Sequence, residues 1–194
     1  RYFASLCIIA LMSTPICARA TADDFRGVDA PATTVEYLNR LEKLGFSGTV
    51  LIARDGQPTL ARGYGLSDRE HEVSWDTSTI GDIGSITKQF TGAAILSLEE
   101  ESRLNVNDSI TKYFEGVPED KRSISLHQLL THTSGIVDLD GAGDYDPIER
   151  AEFIRRIMAQ PLESEPGNKY EYSNAGYSLL GAIIEIVSGQ SYEQ

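Results

Sequence analysis

GSITKQFTGAAILSLEEE, residues 84–101, is the stretch from which the rest of the chain is read. Between Asp82 and Glu99 its only charge is Lys88. Ile86, Phe90, Ala93, Ala94, Ile95, Leu96 and Leu98 cover most of the circumference of a helix, which predicts a long core helix over 85–101, buried nearly all round. On a helix, residues three apart share a face, so Ser85 Oγ and the Lys88 ammonium can meet. A serine hydroxyl is a poor nucleophile until a neighbouring base takes its proton. A lysine joins that chemistry where apolar surroundings weaken its hold on its own proton. Gly81 and Gly84 allow a sharp turn into the helix, whose free N–H groups favour developing negative charge.

The same four letters recur at Ser109-Ile110-Thr111-Lys112. Eighteen Ser and five Lys in 194 residues make about half a Ser-x-x-Lys match expected by chance, so context must decide. The second copy reads as a short surface helix. Asn107-Asp108 supply capping residues, Ile110, Tyr113 and Phe114 a buried stripe, and Asp108, Lys112 and Glu115 a solvated face. For Ser85 and Lys88 a helix cap with a snorkelling lysine remains the alternative to a nucleophile pair.

The chain has 194 residues, net charge −12, and 41% hydrophobic residues. That acidity argues against a nucleic-acid partner and against an anionic membrane surface. Residues 1–20, RYFASLCIIALMSTPICARA, combine a basic start, an apolar run and an Ala-Arg-Ala end, the pattern of a secretory signal peptide. Residues 21–194 are then the folded domain, exported to the periplasm or beyond, with no membrane span after cleavage. The leader holds both cysteines, two arginines and no acid, so its removal takes the net charge from −12 to −14 and leaves no disulfide.

Ala32–Leu44 carries apolar residues at helical spacing, and two strand-like runs flank Asp55-Gly56, a hairpin signal. From residue 103 to about 170 the signals are short helices at 109–114, 126–131 and 147–159. Asn174–Val187 is a further apolar helix with Gly189 as its stop.

Tyr172-Ser173-Asn174 supplies the second motif. Together, GSITKQFTGAAILSLEEESRLNVNDSITKYF, LHQLLTHTSGI and YEYSNAGYSLLGAIIE resemble three successive blocks of the class C β-lactamase-related serine hydrolases. That family also includes D-Ala-D-Ala carboxypeptidases, D-amino-acid peptidases and esterases. The resemblance runs from about Val35 to the end, with Tyr-Ser-Asn standing where related enzymes have Ser-Asp-Asn. It implies an α/β (α+β) fold of the β-lactamase/transpeptidase type: an antiparallel sheet flanked by helices, with an all-helical region inserted between Ser85 and Tyr172. It implies Ser85 as the acylated nucleophile, Lys88 as proton holder, Tyr172 as general base and later acid, and Asn174 as substrate-binding residue. No metal or cofactor is expected; the substrate class is a β-lactam, a D-amino-acid peptide or an ester.

The family's third motif, Lys/His-Thr/Ser-Gly on a late strand, is not found; His132-Thr133-Ser134-Gly135 has one residue too many and reads as a structural turn. The chain is therefore expected to be a C-terminally truncated fragment with an incomplete sheet. A non-catalytic penicillin-binding or sensor-type domain stays open beside the hydrolase. Asp138–Glu149 mimics a calcium loop but has Ala142 where a ligand is needed, and reads as a solvated acidic loop.

Overall fold

A computed structural model describes residues 31–139 and 147–194. The signal-peptide reading of residues 1–20, and residues 140–146 of the acidic loop, lie outside the described residues. The chain divides into two compact units, one ending at Asp82 and the other beginning at Ile83.

In the first unit, α1 (Ala32–Lys43) is amphipathic and buries Leu38. It is followed by the antiparallel hairpin β1 (Gly48–Arg54) and β2 (Gln57–Tyr64), paired from Gly48↔Tyr64 to Arg54↔Gln57. Asp55 and Gly56 both have positive φ, 51° and 76°, as a two-residue type I′ turn requires. Val50 and Ile52 face inward while Leu51 between them is exposed, the period-two alternation of a half-buried strand. Tyr64 is buried beside Phe46, and Glu42 accepts the Gly65 N–H at 2.7 Å, tying α1 to the end of the hairpin. A second antiparallel pair, β3 (Leu66–Asp68) and β4 (Val73–Ser74), was not expected; runs of three and two residues are too short to show alternation.

The second unit is helical. α2 (Thr87–Glu100) packs on α5 (Asn174–Ser188), which also receives α3 (Leu126–Leu130) and α4 (Arg150–Ala159). α5 buries Ala175, Gly176, Leu179, Leu180, Ala182, Ile183 and Ile184, a broad apolar stripe, and ends at Gly189 in the left-handed conformation. Ile95, Ile110, Ile124, Leu126 and Leu129 complete the core around it, each fully buried. Each such side chain contributes about 1.5–3 kcal/mol by leaving water. Ser125 and Gln128 form a reciprocal capping box that starts α3.

Two expectations need correction here. α2 is not buried all round: it buries Thr91, Ile95 and Leu98, whereas Phe90 and Leu96, and Ile86 just before it, are more than half exposed. An apolar circumference measures composition, not what lies opposite each face. The second Ser-Ile-Thr-Lys copy forms a single 3₁₀ turn, Ile110–Lys112, and its cap is Ser109 itself rather than Asn107-Asp108. Ser109 Oγ accepts the Thr111 N–H at 3.1 Å and donates to the Arg122 carbonyl at 2.7 Å. Lys112 pairs with Asp108 at 2.6 Å on the solvated side, and Ile110 and Phe114 are buried as the stripe predicted. At the level of class, the expected mixture of antiparallel strands and flanking helices is what forms.

Candidate active site

Ser85 lies in a 3₁₀ turn, Gly84–Ile86, that runs directly into α2. Gly84 has φ +51°, a left-handed backbone that side-chain-bearing residues rarely adopt, so glycine is what lets the chain swing into the helix one residue before the serine. Three residues on, Lys88 comes back over the same face, with Nζ 3.2 Å from Ser85 Oγ.

The second motif is built by a helix start. Ser173 is the N-cap of α5, extended in backbone, and its Oγ accepts the Gly176 N–H at 3.0 Å. Capping by the middle residue leaves Tyr172 outside the helix and Asn174 on its first turn. The Tyr172 hydroxyl donates to Ser85 Oγ at 2.6 Å, and Lys88 Nζ donates to Asn174 Oδ1 at 2.7 Å. Lys88 Nζ also lies 4.8 Å from the centre of the Tyr172 ring. All four sequence-predicted residues, Ser85, Lys88, Tyr172 and Asn174, thus meet in one cluster, although 86 residues separate Lys88 from Asn174. Ser109 takes no part.

The electrostatics follow from these contacts. Tyr172 is held below the usual phenol range, first by the hydrogen bond with Lys88 and then by that with Ser85, with burial and the Asp138 charge opposing. Tyr177, whose hydroxyl donates to the Leu130 carbonyl at 3.0 Å, is pushed the other way by burial and by its tyrosine neighbours. The enclosure expected around Lys88 is not found: Lys88 is half-buried and Ser85 exposed.

The Thr131–Gly135 turn is what brings Tyr172 into place. Glu163 N–H donates to the Gly135 carbonyl at 2.9 Å, Gly167 N–H to Thr133 at 2.7 Å and Glu171 N–H to His132 at 2.8 Å. These bonds strap the 163–171 segment along the turn. A Cβ on Gly135 would meet the Ser164 carbonyl oxygen at 2.1 Å, so the strap needs glycine there. His132 sits in the left-handed region, φ 57°, and its Nδ1 accepts the Ser173 N–H at 3.1 Å. Its ring stacks on Tyr172, centroids 4.5 Å apart. The turn is structural, as its sequence suggested, but its histidine touches the site.

Sequence reading missed Asp138. Its Oδ1 accepts the Ala175 N–H at 2.7 Å and the Ser173 hydroxyl at 3.3 Å, and its Oδ2 accepts Asn174 Nδ2 at 3.1 Å. In the sequence the acid is the first member of a calcium-like loop, and no local pattern links it to residues some 36 positions away. Among the described residues there is no group of three or more His, Cys, Asp or Glu placed to hold a metal, and no helix long and apolar enough to cross a membrane.

A family model described as Beta-lactamase matches residues 38–194. Protein flp of Staphylococcus aureus (strain MW2) is 37% identical over 187 residues, covering 91% of this chain and 36% of flp. The crystal structure of FmtA from Staphylococcus aureus superposes with a TM-score of 0.72 at 28% identity, over 85% of this chain and 47% of that one. The octameric penicillin-binding protein homologue from Pyrococcus abyssi gives 0.68 at 33% identity, over 83% and 39%. The chain spans 36% of the length of flp, so it corresponds to a part of that protein. The mixed α/β architecture with antiparallel strands is of the β-lactamase/transpeptidase-like kind. Matched by its family model from residue 38 to residue 194, the chain belongs to the Beta-lactamase family.

Proposed function

We propose that Ser85 is the nucleophile of an exported serine hydrolase that works through an acyl-enzyme on a β-lactam, a D-amino-acid peptide or an ester. The observation that carries this reading is the pair of short contacts on Ser85 Oγ, 2.6 Å to the Tyr172 hydroxyl and 3.2 Å to Lys88 Nζ. As a phenolate, Tyr172 takes the Ser85 proton while Oγ attacks the substrate carbonyl carbon. The Ser85 backbone N–H, at the start of a helical turn, receives the developing oxyanion, a role for which one donor is worth about 3 kcal/mol. The Tyr172 proton then passes to the leaving nitrogen or oxygen, with the Lys88 ammonium stabilising the phenolate before and after. Water, deprotonated by Tyr172, cleaves the ester and restores Ser85. Asn174 holds Lys88 and offers its amide to the substrate. Export rests on the leader-like pattern of residues 1–20.

The test is covalent labelling of the chain with a fluorophosphonate and with a fluorescent penicillin, beside Ser85→Ala and Ser109→Ala. Labelling that is lost in Ser85→Ala and retained in Ser109→Ala supports the assignment; labelling of Ser85→Ala at the wild-type rate overturns it. A label that forms and is not released identifies instead a penicillin-binding or sensor-type domain using the same nucleophile.

A further inference from the structure

We infer that Asp138 is a positioning residue of this site: its carboxylate decides which way the Asn174 amide points, and so what Lys88 meets. The consequence for catalysis rests on the reading of Ser85 as nucleophile; the orientation itself does not.

An asparagine amide has two ends of nearly equal shape and opposite hydrogen-bonding character. Only the oxygen can accept from the Lys88 ammonium. Because the two ends are nearly equal in shape, hydrogen-bond partners must select between them. Asp138 Oδ2, an acceptor when ionised, stands 3.1 Å from Asn174 Nδ2 and takes the NH₂ end. The oxygen end is then left facing Lys88 Nζ, 2.7 Å away. Inverting the amide would set NH₂ against an ammonium and oxygen against a carboxylate, two repulsive contacts in place of two attractive ones.

Asp138 is itself anchored. Its other oxygen accepts the Ala175 N–H at 2.7 Å and the Ser173 hydroxyl at 3.3 Å. Both donors belong to the N-terminus of α5, where an anion is favoured by the unpaired amides. The carboxylate therefore cannot turn away without losing the bonds that hold it. A relay of polar contacts results, from Asp138 through Asn174 and Lys88 to Ser85 Oγ. A plain helix-capping role explains less, because Ser173 already caps α5 through the Gly176 N–H. Capping also gives no reason for the third bond to be made to a side chain that holds Lys88.

Two measurements on the full chain test this. The first needs no activity. In ¹⁵N-labelled protein the Asn174 side-chain NH₂ signal is identified by its loss in Asn174→Ala. It is expected to shift in Asp138→Ala and in Asp138→Asn. A signal that ignores both changes overturns the inference. The second is the rate constant for fluorophosphonate labelling. Asp138→Asn keeps shape but presents a donor, and is expected to slow labelling about tenfold to a hundredfold. In an Asn174→Ala background the same change is expected to alter the rate less than about twofold, since the residue it acts through is gone. An equal loss in both backgrounds overturns the inference in favour of simple capping. If the wild type takes no label at all, the hydrolase reading fails, and the NH₂ signal alone then decides whether Asp138 orients Asn174.

Discussion

The Tyr172 hydroxyl and Ser85 Oγ lie 2.6 Å apart, joined across 87 residues of sequence. Tyr172 leads into α5 and Ser85 leads into α2, so the packing of these two helices, with the Thr131–Gly135 turn that holds the segment before Tyr172, sets the distance between the two hydroxyls.

Replacing Tyr172 by Phe removes the hydroxyl and keeps the ring against His132. Labelling of Ser85 by a fluorophosphonate is expected to fall on the order of 10² to 10⁴-fold, the usual worth of a positioned general base. The base form is the phenolate, so in the wild type the rate rises with pH through the Tyr172 pKa. That pKa lies below the usual phenol range because of Lys88 and Ser85, so the rise comes on the acid side of about pH 10. Tyr172→Phe is expected to lose this rise. A variant that retains both the rate and the rise would remove Tyr172 from the mechanism.

Ser109→Ala tests the other copy of the four-residue repeat. It removes the cap on Thr111 N–H and leaves the Arg122 carbonyl without its donor. Loss of such a cap costs about 0.5–2 kcal/mol, measurable by urea denaturation, while labelling of Ser85 stays at the wild-type rate. Unchanged stability would show that the hydroxyl does no capping.

Much of this was legible in the sequence, and the limits have physical causes. α5 was readable because its apolar stripe and its Gly189 stop agree. The hairpin was readable because Asp55-Gly56 suits two positive φ angles. Ser85, Lys88, Tyr172 and Asn174 could be nominated together, through Ser-x-x-Lys spacing and the family blocks. What one helix buries could not be read from its own letters: Phe90 and Leu96 are exposed despite their apolar character. Nor could Asp138 or the ring of His132, whose contacts with Asn174 and Tyr172 are made in space between residues some 36 to 40 positions apart.

Gly135→Ala is expected to be costly. The residue has φ +73°, and the added methyl would meet a backbone oxygen, which has no rotamer by which to retreat. The backbone conformation alone costs about 1–3 kcal/mol for a non-glycine residue, and the clash adds to it. Because Glu163 N–H donates to the Gly135 carbonyl, relief of the clash loosens the strap that leads to Tyr172. Thermal denaturation should show the loss of stability, and Ser85 labelling should slow beyond what the fall in folded fraction explains. Labelling that tracks the folded fraction alone would mean that the strap does not position Tyr172.

His132 is expected to make stability depend on pH. Its Nδ1 accepts the Ser173 N–H, which requires an unprotonated nitrogen, so the folded ring is neutral with its proton on Nε2. Burial first, and the Lys88 charge second, hold its pKa below the ordinary value, with Asp138 opposing; Tyr170, Tyr172 and Tyr177 are the rings against it. In the unfolded chain the imidazole titrates near pH 6.5. Between that value and the lower folded one, the unfolded state binds more protons, so unfolding becomes easier as pH falls. The contribution is fully present above about pH 6.5 and is lost as pH drops through the folded pKa. Asn tolerates a left-handed backbone and can still accept from Ser173, so His132→Asn should keep the turn and remove the titration. Urea denaturation of both proteins at about pH 7.5, 6 and 5 is expected to show a smaller fall for the variant, with Asp and Glu contributions common to both. Parallel curves would mean that His132 titrates alike in the folded and unfolded chain.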